Sequence, residues 1–203
     1  MAFPDPSKPI ATCAAPDCED CPAAGAVQCH FRLKHWLFFA AVWIPGFAVG
    51  VAGVLPFGVW PLVGWGAVMV AFFVFLETRV LCSHCPHYAE RGWTLSCWAN
   101  HGIPKLWRYR PGPTSVTEKL AFLLGLVAVF GYPVIFLATG RAWLLLALYV
   151  LGTTVFFAGL KLGLCRRCMN FACFFNSVNA ADRALFFERN PSVARHWDER
   201  RRD

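Results

Sequence analysis

Val80-Leu81-Cys82-Ser83-His84-Cys85 closes one long apolar run, and Gly163-Leu164-Cys165-Arg166-Arg167-Cys168 closes another. Each is a C-x-x-C placed where a hydrophobic segment gives way to polar chain. Two such pairs supply four thiolates, the ligand set of a closed zinc site or of an iron–sulfur cluster. The rest of the sequence reads as a frame that brings these sulfurs together at a membrane surface.

Working outward, the apolar residues lie in blocks. Of the 203 residues, 57% are hydrophobic and 15% charged, against about 25% charged in ordinary soluble domains. Trp36 to Leu55 is twenty residues without a formal charge, enough to cross a bilayer as a helix. Pro45-Gly46 sits in its middle, and Gly46-x3-Gly50 presents a small-residue face for another helix. Leu62 to Leu81 makes the second span after a turn rich in proline and glycine. Ser115-x-x-Glu118 is a capping-box pattern that starts the third, Leu120 to Leu137, which contains Pro133. Gly140-Arg141 turns the chain into the fourth, Ala142 to Leu164.

The expected fold is therefore an all-α integral membrane protein. Its four transmembrane helices form two tandem hairpins, residues 36–81 and 120–164. A Cys/Pro-rich arm (1–35), a Cys/His-rich loop (82–119) and a Cys-containing tail (165–203) lie outside the bilayer. Prolines through residues 1–35 predict an exposed, irregular arm, and no leader sequence is expected there. Ala180 to Arg189 reads as a surface helix, with the chain end from Asp198 frayed.

Four spans put both termini and the central loop on one side. That side holds every Lys and Arg except Arg141, so the positive-inside rule predicts an inner (cytoplasmic) membrane protein with both termini cytoplasmic. The +7 formal charge then reflects topology and anionic lipid heads, and no nucleic-acid-binding pattern is present. All ten cysteines share that reducing side, which favours metal ligation over structural disulfides.

Cys97 and Cys173 extend the two pairs to C-x2-C-x11-C and C-x2-C-x4-C. Three cysteines per half exceed the needs of one zinc. In the arm, Cys13-x4-Cys18-x2-Cys21 has the spacing of plant-type [2Fe–2S] ferredoxins, with Cys29 as a fourth ligand. All ten are candidate metal ligands. Two clusters, each completed by an arm cysteine, would use eight of them. His84 and His87 are loop histidines that either ligate or bond to backbone. Glu77 and Lys161 precede the two pairs at similar depth and are expected to pair between helices, or Glu77 to handle protons near a quinone. Lys105 to Arg110 alternates basic and aromatic residues, as in a headgroup-layer segment or a lid.

These features predict a membrane-bound metal protein, iron–sulfur in preference to zinc. It would move electrons between a cytoplasmic donor and a quinone or a partner subunit. A zinc-stabilised membrane scaffold and a thiol-redox or metal-handling protein are the alternatives. The architecture resembles that of four-helix membrane iron–sulfur proteins of respiratory chains, without their C-x2-C-x2-C-x3-C-P run. No nucleotide-binding loop or hydrolytic triad is present.

Overall fold

The computed structural model describes residues 7–199. Helices dominate: α1 (Leu33–Val54), α2 (Val59–Val70), α3 (Glu77–Val80), α4 (Val116–Thr139), α5 (Trp143–Gly159), α6 (Ala180–Arg189) and α7 (Pro191–Glu199). Among the described residues, β structure is limited to isolated bridges. Four helical stretches are long and apolar enough to cross a membrane: Leu33–Phe57, Val59–His84, Val116–Thr139 and Trp143–Arg167. Between 11% and 22% of their most apolar windows is buried inside the protein. The outward faces carry Leu37, Ile44, Val63, Leu124, Leu148 and Val155 in exposed positions. Apolar surface on this scale suits hydrocarbon, not water.

Span 1 packs chiefly on span 4 and far less on span 2. The close approach is at Gly46 and Gly152: a Cβ on Gly152 would lie 2.9 Å from the Gly46 Cα. Gly50 and Gly53 continue the stripe, against Trp65 and Tyr149 and against Leu137. The small-residue face of span 1 is thus shared among the three other spans. Consecutive spans are joined by tight turns at one end, but the main packing joins first to last.

Pro133 lies inside α4. Having no N–H, it leaves the carbonyl four residues back, Val129 O, without its helical donor. Trp65 Nε1 donates to Val129 O at 2.9 Å. One residue on, Tyr149 Oη donates to Phe130 O at 2.9 Å. The proline thereby opens acceptors that side chains of spans 2 and 4 fill, as apolar surroundings require.

Spans 2 and 4 end alike. Each passes through a π turn, Ala71–Leu76 and Leu160–Leu164 respectively, and then reaches a 3-10 turn, Cys82–His84 and Cys165–Arg167. Cys85 and Cys168 follow in extended backbone, at φ −81°, ψ 138° and φ −77°, ψ 125°. Ser115 caps α4, and the reciprocal bonds of the capping box are both formed.

Arm, central loop and tail form one head on the end of the bundle where these turns lie. The described part of the arm is packed, contrary to its reading as an exposed appendage. Ile10, Ala23 and Val27 are buried, and Ile10 and Val27 share a core with Cys85, Met169, Phe171 and Phe186. Ala14 N donates to Arg189 O at 2.8 Å, and Gln28 N to Arg167 O at 2.6 Å. Without helical or strand periodicity, the arm is held by single apolar anchors and scattered backbone bonds. Pro191, instead of only breaking the tail helix, opens α7, where its missing N–H costs nothing. The frayed end expected from Asp198 lies beyond the described residues from 200 onward, while Asp198 and Glu199 belong to α7.

Candidate metal centre

The ten cysteines divide by position into a group of six and a group of four. Cys82, Cys85 and Cys97 come from the end of span 2 and the central loop. Cys165, Cys168 and Cys173 come from the end of span 4 and the tail. Asn170 Nδ2 donates to Leu81 O at 3.2 Å, tying the tail to the first C-x-x-C turn. Thr114 Oγ1 does the same for loop and tail by donating to Ala172 O at 3.1 Å. No disulfide joins any cysteine among the described residues.

Electrostatics show the proximity. Burial, then the thiols of Cys97, Cys173 and Cys29, push the Cys85 thiol far above its ordinary range. Burial, Cys85, Cys173 and Cys165 do the same at Cys168. Cys173 is raised to about 12 by burial first, with Cys165 and Glu77 adding to it. Cys97 is raised to about 11, again by burial first and with Glu77 adding to it. These groups are apolar-buried and repel one another as anions. They are stable as neutral thiols or as thiolates facing a compact, highly charged cation.

Asn100 organises the first half of this group. Its backbone N–H donates to Cys97 Sγ at 3.2 Å. Its Nδ2 donates to Cys82 Sγ at 3.2 Å and to Glu77 Oε1 at 3.1 Å. Glu77 therefore turns inward to Asn100 and the thiols. Lys161 is exposed, and among the described residues no ion pair joins it to Glu77. The expected Glu77–Lys161 pair is replaced by this amide contact, supplied from a loop residue that span periodicity cannot reveal.

The four arm cysteines gather among themselves. Cys29 is raised to about 12 by burial and then by Cys21, Cys13 and Cys18. A second cavity of about 260 Å³ lies against Cys18, Cys21 and Cys29, with His30, His35 and Arg167 also on its walls. The arm cysteines lie near one another, and Cys13 and Cys29 also pack against the core that holds Cys85, with Cys29 within electrostatic reach of Cys85.

Both loop histidines are buried. His84 Nδ1 lies 3.0 Å from Gly112 O, and its Nε2 lies 3.1 Å from Arg110 Nη2 and 3.5 Å from Glu118 Oε1. His84 thus takes part in a polar cluster that fastens the central loop. His87 is driven down to about 3 by burial, then by the positive charges of His30 and Lys105, so it is neutral at physiological pH. The Lys105–Arg110 segment is a strap. Arg110 Nη2 donates to Glu118 Oε1 at 2.7 Å and to Arg79 O at 2.8 Å. Trp107 Nε1 donates to Thr78 Oγ1 at 3.1 Å.

Among the described residues, no three His, Cys, Asp or Glu side chains close around one point as they would around a single ion. The six thiols are linked instead by pairwise electrostatic reach, among them Cys85 to Cys97 and Cys173, and Cys168 to Cys85 and Cys165. Compared with known protein families, curated proteins and solved structures, the chain matches none.

Proposed function

We propose that this chain is a membrane-bound iron–sulfur protein that carries electrons between a cytoplasmic donor and a quinone or partner subunit in the membrane. One observation carries the reading: six thiols from two distant chain segments, three of them buried and three half-buried, lie within electrostatic reach of one another at the end of a transmembrane bundle. As thiolates they would repel one another, so the ionised form of such a gathering needs a cation to offset it. Cys82, Cys85, Cys97, Cys165, Cys168 and Cys173 would hold one centre, and Cys13, Cys18, Cys21 and Cys29 a second. A surplus of thiols over four suits iron–sulfur ligation better than one tetrahedral zinc, which takes four ligands. The excess of Lys and Arg at the head end supports placing that end, with both termini, in the cytoplasm of a cell whose inner membrane holds the spans.

The zinc-stabilised scaffold is favoured by a different observation, the convergence of arm, loop and tail on the same thiols. A thiol-redox or metal-handling role is the third reading. Anaerobic purification of the full chain in detergent separates them. Iron with acid-labile sulfide, and a visible absorption bleached by dithionite, is the expected result. Colourless protein with stoichiometric zinc establishes the scaffold reading, and metal-free protein with rapid thiol–disulfide cycling the third. Cys82→Ser and Cys165→Ser should each lower bound metal by about half or more, since each takes a ligand from one of the two proposed centres. Full retention of metal in both variants sinks the ligand assignment.

A further inference from the structure

We infer that the cavity beneath the six thiols binds the ring of an isoprenoid quinone. The inference rests on the electron-carrier reading for its choice of ligand class. The cavity measures about 260 Å³ and is bounded by all four spans. Phe39, Phe72, Phe73, Phe130 and Phe157 form walls suited to a flat ring and an apolar tail. At the head end it is closed by Trp98, Asn100 and the thiols of Cys165, Cys168 and Cys173.

The polar groups at that end are few and convergent. Glu77 borders the cavity, and the Asn100 amide holds one of its carboxyl oxygens at 3.1 Å. A carboxyl fixed in this way offers the other oxygen to a ligand carbonyl, as donor when protonated. The pocket thus reads a lipid-soluble, planar molecule with a hydrogen-bonding oxygen at its leading edge. That combination describes a quinone and not an acyl chain, which has nothing for Glu77 and Asn100 to recognise. The same end wall carries three of the candidate ligand thiols, so the ring would lie directly against the proposed centre.

The probe is decylubiquinone, titrated into the purified full chain in detergent while the fluorescence of the pocket residues Trp43 and Trp98 is followed. Saturable quenching beyond that of exposed indole in empty micelles is expected. Leu126→Phe and Ala99→Leu, which fill the cavity from two sides, should each weaken binding about tenfold, an overpacking cost of order one kcal/mol or more. Glu77→Leu should weaken it about fivefold, the loss of one net hydrogen bond. Decanol is the competitor that tests for an acyl-chain cavity, and it should not displace the quinone. Non-saturable quenching, affinity unchanged from the parent in both filling variants, or displacement by decanol overturns the inference. Metal content is measured on the same samples. Iron without quinone binding removes this site and leaves the electron carrier with a protein partner. Quinone binding to metal-free protein keeps the site and removes the electron-carrier reading.

Discussion

At Cys82–Cys85 the chain folds its own following loop over the thiols, whereas at Cys165–Cys168 the following tail shares the cover with the opposite end of the chain. The turns themselves share a backbone. Around the first, Ser83 and His84 are buried, Arg110 N donates to Ser83 O at 2.7 Å, and Asn100 donates to Cys82 Sγ. Around the second, Arg166 and Arg167 are exposed, Gln28 of the arm is bonded to Arg167 O and bridged to Cys168, and Ser177 N of the tail donates to Cys165 O at 3.1 Å. Local and distant enclosure differ in how they open. A loop anchored at both ends by span termini moves with the bundle, while an arm held by scattered bonds peels off at lower cost.

The comparison breaks most sharply at two asparagines. Asn100 serves side-chain acceptors, Cys82 Sγ and Glu77 Oε1. Asn176 Nδ2 serves backbone carbonyls, Cys168 O at 2.6 Å and Asn170 O at 3.1 Å. Asn100→Leu strands a carboxyl in the pocket wall and should cost about 3 kcal/mol, and Asn176→Leu about 1 kcal/mol. Thermal unfolding in detergent reads both, and equal losses would erase the asymmetry.

Acidification should reach the first turn through His87. Its folded pKa of about 3 lies below the ordinary 6.5, so the unfolded chain takes up a proton first as pH falls. Stability is therefore full above about pH 6.5 and declines toward pH 3. Between pH 7 and 5 the decline should be about 2 kcal/mol, and His87→Leu should flatten it. A pH-independent unfolding temperature in the parent protein would show that His87 stays solvated.

Gln28→Pro removes the N–H donated to Arg167 O and targets the second turn alone. With about 1.4 kcal/mol lost from arm docking, labelling of Cys168 by a membrane-impermeant maleimide should quicken about tenfold. Cys82 should label at an unchanged rate; parallel increases at both positions would mean that the head opens as one body. The smallest effect belongs to Trp65→Phe, which leaves Val129 O unpaired beside Pro133. It should cost about 0.6 kcal/mol and, being central in the bundle, should leave both labelling rates alike.

Much of this frame was legible from residue patterns. The four spans follow from uncharged length, the start of α4 from Ser115 and Glu118, and the placement of both C-x-x-C pairs at one end from the even number of crossings. What escaped was non-local. Nothing in the spacing of Glu77 announces Asn100, a residue across the loop. Pro133 signals a freed carbonyl but not that Trp65 will take it. The arm has no periodicity to read, because Ile10 and Val27 are isolated anchors between prolines and turns.

The π turns carry a consequence for insertions and deletions. Each holds one residue more than an α-helical turn would need and absorbs it within the turn, so the helix beyond keeps its rotational phase. Removing a single residue from Ala71–Leu76 would let span 2 relax to regular α-helix with Cys82 facing nearly as before. Removing one from the regular stretch Val59–Val70, where no surplus can be given up, would swing that cysteine by about 100° around the helix axis, away from the second C-x-x-C. Such a protein would insert normally and yet have separated its two thiol pairs.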